Sequence, residues 1–196
     1  MPRPIIINTP TYQSFPVNNN IPKTGGLNKA WLDRLIAVSN HSLAAFYQPR
    51  GYMLRVALKP GVEIESFIHA LRYWFAEAVG FTTRHTPLYA CKYEVKMLTP
   101  ADEEWSEEAN PSLPFHHYHI ALILDGKCAT LSGLSYFLSK KHTDYLRSYH
   151  LSKGWDGKVY VHDLKNNFNK WIEHASYLCK VNTSAPVSKP FNTSRI

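Results

Sequence analysis

"PFHHYHIALILDG", residues 114–126, decides how the rest of the chain is read. Three histidines in four positions run into an apolar stretch that closes on Asp-Gly. Successive side chains of a strand point to opposite faces. Tyr118, Ile120, Leu122 and Leu124 therefore share one face, and His117, His119, Ala121 and Ile123 the other. His116 falls with the first set, away from the other two histidines.

The same alternation recurs on either side. In residues 52–59, Tyr52, Leu54, Val56 and Leu58 oppose Met53, Arg55, Ala57 and Lys59. In residues 89–97, Tyr89, Cys91, Tyr93, Val95 and Met97 oppose Lys92, Glu94 and Lys96. One apolar and one polar face per strand predicts an antiparallel sheet with helices on one side and an open face on the other. Helical spacing is read in two places before the histidine strand. Leu27, Trp31, Leu35, Val38 and Ala45 follow Asn28 as a possible cap, and Ile64, Phe67, Ile68, Leu71, Phe75 and Val79 form one stripe. "SGLSYFLSKKHTDYLRSYHLSKGW" reads as helical or irregular, "GKVYVHDL" as a short strand, and "NNFNKWIEHASYLCKV" as a helix. The order strand, helix, strand, strand, helix, strand predicts an α+β fold of the ferredoxin-like or RRM-like kind. Residues 1–26 read as an extended arm, 27–182 as the folded domain and 183–196 as a flexible tail.

Composition narrows the partners. The chain has 196 residues, enough for one cored domain, and a net charge of +7. Residues 101–115 hold five acids and no Lys or Arg, so the rest carries +12. A surplus of that kind suits a polyanion, nucleic acid above all, or serves solubility alone. Cys91, Cys128 and Cys179 show no paired spacing, which points to a reducing cytoplasm. No run of about 18 apolar residues is present, so no membrane span is expected.

The polar face carries the chemistry. His117 and His119 can aim their imidazoles the same way, and Glu94 reaches them if its strand pairs with theirs. Two histidines and a carboxylate leave coordination positions free, which suits Mg²⁺ or Mn²⁺ beside a substrate oxygen. Asp102, Glu103 and Glu104 of the acidic loop are alternative third ligands, and a plain pair of strand histidines is the other reading. In the last helix, winding at about 100° per residue puts Phe168, Trp171, Ile172, Ala175, Leu178 and Cys179 on one arc. Lys170, Glu173, His174, Tyr177 and Lys180 fall on the opposite arc. A tyrosine off the core stripe beside a lysine is a candidate nucleophile or a surface residue. "KKHTDYLRSYHLSKGWDGK" interleaves Lys140, Lys141, Arg147, Lys153 and Lys158 with Tyr145, Tyr149 and Trp155. Cations and rings in that mixture suit a single-strand groove. Arg55, Lys92 and Lys96 fall on the predicted open face, placed to steer a strand towards a metal. An RNA-binding sheet would instead carry stacking aromatics there.

Glu94, then His-Tyr-His, then Tyr-Leu-Cys-Lys in a late helix resembles the HUH endonuclease superfamily. Within it the chain is most similar to the replication-initiator family of filamentous phages (inoviruses), with the prophage-borne YagK/YfjJ-type proteins. "FHHYHIALILDG" carries the metal motif and "ASYLCKV" the tyrosine motif, over residues 50–182. The tyrosine motif holds a single tyrosine, with Glu173 four residues before it. The resemblance implies a rolling-circle replication initiator that nicks and joins single-stranded DNA at an origin. His117, His119 and Glu94 would hold Mg²⁺ or Mn²⁺. Tyr177 would form a 5′-phosphotyrosine link and release a 3′-OH, and Lys180 would support phosphate or phenolate. A host helicase is the protein partner it allows. The alternative is a non-cleaving origin binder or repressor on the same fold.

Overall fold

The computed structural model describes residues 3–19, 25–79, 86–97, 114–181 and 190–196. Within these the chain is mixed α+β. Short strands β1 (Ile6–Ile7), β2 (Thr11–Tyr12), β3 (Phe15–Pro16) and β4 (Leu27–Asn28) precede helix α1 (Lys29–Ala45). The Asn28 side chain accepts from Ala30 N and Trp31 N at 3.0 and 3.3 Å, so this cap starts α1 where its sequence suggests. Next come β5 (Pro49–Leu58), α2 (Ile64–Val79), β6 (Leu88–Met97), β7 (Pro114–Asp125), α3 (Leu131–Tyr145), β8 (Leu146–Leu151) and β9 (Val161–Asp163). The last elements are α4 (Leu164–Ala175), a 3₁₀ turn (Ser176–Cys179) and β10 (Phe191–Thr193).

The main sheet runs β10-β6-β7-β5-β8, every pairing antiparallel, with β9 also on β5. Glu94 stands opposite His117, and Lys92 opposite His119. Arg55 stands opposite both His119 and His150, one on each side. Lys92, His119, Arg55 and His150 therefore form one row across four strands, on one face.

Two cores sandwich this sheet. On one side the stripe Ile64, Phe67, Leu71 and Phe75 of α2, with Leu134 and Phe137 of α3, packs on Leu54, Val56, Ile120 and Leu122. On the other, Leu32, Leu35 and Ile36 of α1 and Trp171, Ile172 and Ala175 of α4 pack on Met53, Ala90, Ala121 and Ile123. The face expected to be open is thus roofed over half its length. Alternation labels a face without distinguishing its two ends: the apolar end takes the helices, and the charged end is left for the site. Gly51 is what lets the roof close, because a Cβ there would lie 2.6 Å from the Trp171 ring.

Three further expectations change. Residues 146–151, read as helical or irregular, form β8 as the sheet's outer strand, and only Val161–Asp163 of "GKVYVHDL" is strand. In "LRSYHL" the only fully buried residues are the two end leucines, so pairing with β5 rather than pattern makes the strand. The last helix stops at Ala175, where the chain tightens into the 3₁₀ turn and the Ser176 hydroxyl donates to the Glu173 carbonyl at 2.8 Å. The segment expected as a flexible tail carries β10 on the β6 edge, and the arm is docked: Tyr12 donates to Asp33 at 2.6 Å, and Asn18 N to Ser176 Oγ at 2.8 Å. The acidic loop lies outside the described residues, and so do the side chains of Lys96, Lys140 and Lys141.

His162 adds an acid sensitivity. It is 3 % exposed, with Nε2 2.9 Å from His174 Nδ1. Burial, then the charges of His174 and Lys170, pull His162 down to about 4, and burial also lowers His174. The unfolded chain therefore binds more protons than the folded one between about pH 6.5 and 4. Stability held above that window is lost as pH falls through it, by about 3 kcal/mol for His162 alone. A melting-temperature series should drop across these pH values, and His162→Gln should flatten the drop.

Candidate metal centre

The hairpin β6–β7 brings three potential ligands together. His117 Nε2 and His119 Nε2 are 3.2 Å apart, and Glu94 Oε2 lies 3.9 and 3.4 Å from them. Three atoms bonded to one ion at about 2.1 Å would sit roughly 3 to 3.5 Å apart, so the cluster fits a divalent ion with little movement. It is the one group of three or more such ligands among the described residues.

Protonation states agree with that use. Burial, then the charge of His119, lowers His117 to about 4, so that imidazole is neutral at pH 7, and burial also holds His119 below its ordinary value. His117 Nδ1 donates to the Phe115 carbonyl at 3.4 Å, which leaves the Nε2 lone pair facing Glu94 and His119. Burial works to raise Glu94. The hydrogen bond and charge of His119, then the charges of Lys92 and Lys180, outweigh it, and the carboxyl titrates well below the usual range.

Tyr177 stands over this cluster. Its ring centroid is 5.8 Å from that of His119, edge to face, and it is half-buried. Lys180 Nζ lies 3.6 Å from the Tyr177 ring centroid. Three parts of the chain therefore converge: β6, β7 and the turn after α4.

Two lysines differ from their expected roles. Lys92, read as a strand-steering cation, is 0 % exposed, with Nζ 3.1 Å from Glu94 Oε1 and donating to the Lys180 carbonyl at 2.6 Å. Lys180, placed on the exposed arc, is buried with Nζ 3.2 Å from Glu94 Oε2. The reason is the 3₁₀ turn, which breaks the 100° progression and turns residue 180 inward. Burial lowers Lys92 to about 8, partly offset by Glu94, whose single carboxylate is shared between two ammonium groups.

Arg55 borders the cluster, and its charge lowers both imidazoles. His150, beside Arg55 on β8, is a site-face residue with no signal in the sequence, because nothing in the pattern of residues 146–151 marks a strand. Arg147, Lys153, Trp155 and Lys158 are exposed, and Trp155 is 101 % exposed at the tip of a tight turn closed by Gly157 N to Gly154 O at 3.0 Å. Tyr145 and Tyr149 are partly buried against the α2/α3 core. His116 pairs with the Tyr93 hydroxyl instead of joining the cluster. A separate groove along β10 is lined by Tyr89, Tyr93, Arg72 and Arg195 and includes none of the cluster. No helix among the described residues is long and apolar enough to cross a membrane.

No protein-family model, curated protein or solved structure matches the chain.

Proposed function

We propose that the protein nicks and rejoins single-stranded DNA, as an initiator of rolling-circle replication of the HUH type. The observation that carries this reading is the Tyr177 ring against His119, within a cluster of Glu94, His117 and His119. The order β8-β5-β7-β6, with α2 and α3 on one face, supports a ferredoxin-like arrangement of the central unit.

Each residue has a role in such a reaction. Glu94, His117 and His119 would hold Mg²⁺ or Mn²⁺. When bound, the ion offsets negative charge on the phosphoryl oxygens. The Tyr177 oxygen attacks phosphorus and gives up its phenolic proton. The bond from phosphorus to the 3′-oxygen breaks, and that oxygen leaves as a hydroxyl after taking a proton. A 5′-phosphotyrosine remains, and attack by a 3′-OH reverses the step. Arg55, which borders the cluster, would contact a phosphate next to the scissile one.

A non-cleaving origin binder on the same fold is the second reading. The pairing of Glu94 with Lys92 and Lys180 favours it, because the carboxylate is neutralised without an ion. Incubation with Mn²⁺ and single-stranded DNA separates the two. The nicking reading requires a DNA–protein adduct that survives denaturant. Binding without an adduct overturns it.

Trp155, with Lys153 and Lys158 beside it, is proposed as a base-stacking contact. Trp155→Ala should weaken oligonucleotide binding by about 1–3 kcal/mol, roughly fivefold to 150-fold, with an unchanged melting temperature. Equal affinities in a fluorescence-anisotropy titration would remove Trp155 from the DNA path.

A further inference from the structure

The charges around Glu94 set a condition on the metal. Each carboxylate oxygen faces one ammonium: Oε1 faces Lys92 at 3.1 Å, and Oε2 faces Lys180 at 3.2 Å. Oε2 is also the oxygen nearest the imidazoles, 3.4 Å from His119 Nε2. An ion bound there at about 2.1 Å would sit within roughly 5 Å of the Lys180 ammonium. One carboxylate between two lysines already leaves the site positive, and a divalent ion would add two more charges where little water reaches. Like charges so close in a partly dry site repel strongly.

Lys92 cannot relieve this, because its Nζ is fixed by the Lys180 carbonyl at 2.6 Å. Lys180 has a second neighbour besides Glu94: its Nζ lies 3.6 Å from the centroid of the Tyr177 ring, the side chain proposed to attack the phosphate.

We infer that Lys180 gates the metal position: its ammonium on Glu94 Oε2 keeps divalent-ion affinity low until a phosphate anion arrives and draws the ammonium away. Metal and anion then strengthen each other's binding by the same factor, since coupling between two bound ligands is reciprocal. The inference deepens the nicking reading and takes from it only the identity of the anion, a phosphodiester of single-stranded DNA.

The test is calorimetric and needs no turnover. Mn²⁺ is titrated into wild-type protein and Lys180→Gln without DNA. Lys180→Gln should bind about tenfold more tightly, and Lys180→Arg, which keeps the charge, should stay close to wild type. Equal affinities in wild type and Lys180→Gln overturn the gate. Should Lys180→Gln fail to fold, the Tyr177→Phe protein carries the test, titrated with Mn²⁺ alone and again with oligothymidylate present. Affinity must rise about tenfold with the oligonucleotide, and a flat result overturns the gate. The DNA-free arm separates the two ideas: a gate confirmed there while wild type forms no covalent adduct would sink the nicking reading alone.

Discussion

Tyr177→Phe protein is expected to form no covalent adduct with single-stranded DNA, a loss on the order of a thousandfold or more in strand cleavage. The substitution removes one oxygen and keeps the ring. The edge-to-face contact with His119 and the Lys180 ammonium over the ring survive, so the cluster below is undisturbed. A half-buried tyrosine that loses its hydroxyl changes stability by about 1 kcal/mol or less. Metal affinity and DNA affinity should therefore stay close to wild type while the adduct disappears. That combination separates a nucleophile from a residue that merely packs. The measurement is a denaturing gel of protein incubated with Mn²⁺ and labelled oligonucleotide. An adduct of undiminished intensity from Tyr177→Phe would mean that another residue attacks, and the role given to the turn after α4 would fall.

Replacing Glu94 should be as costly to the fold as replacing Tyr177 is to chemistry. Glu94 forms ion pairs with both Lys92 and Lys180, and all three side chains are buried. Removing one member of a buried ion network strands the others, at about 3–5 kcal/mol. In a domain of this size that is a fall of roughly 10 °C in melting temperature. Glu94→Gln keeps the shape and removes the charge, so it isolates the electrostatic part. Adding Lys92→Met to Glu94→Gln should restore much of the loss, because an apolar side chain needs no counter-ion there. An unchanged melting temperature for Glu94→Gln would show that water reaches the lysines freely. The same network sets an acid limit. Glu94 titrates below its ordinary value of 4.5, so its contribution is complete above that pH and is lost as pH falls through the lower, folded value.

Some of this was legible in the chain and some was not. Alternation in residues 52–59, 89–97 and 117–124 marked three strands whose faces are as read, and Asn28 marked the start of α1. Pairing of β6 with β7 then makes the Glu94, His117 and His119 cluster almost unavoidable, because cross-strand neighbours on one face lie about 5 Å apart. β8 was not legible: no pattern within "LRSYHL" marks a strand, and without it His150 could not be seen beside Arg55. Lys92 alternates with Glu94 and Lys96 as a solvated face would, and nothing local distinguishes it from a surface lysine.

The sequence by itself determined which side chains share a strand face and which residues carry metal-ligating or nucleophilic groups, since both follow from period and chemical type. Only the tertiary structure decided what covers that face. α1 and α4 bring their apolar stripes from distant parts of the chain to one end of it, and a 3₁₀ turn carries Lys180 inward at the other. Burial depends on what packs above a residue, and no local pattern encodes that. It is burial that turns two apparent surface lysines into the counter-ions of Glu94.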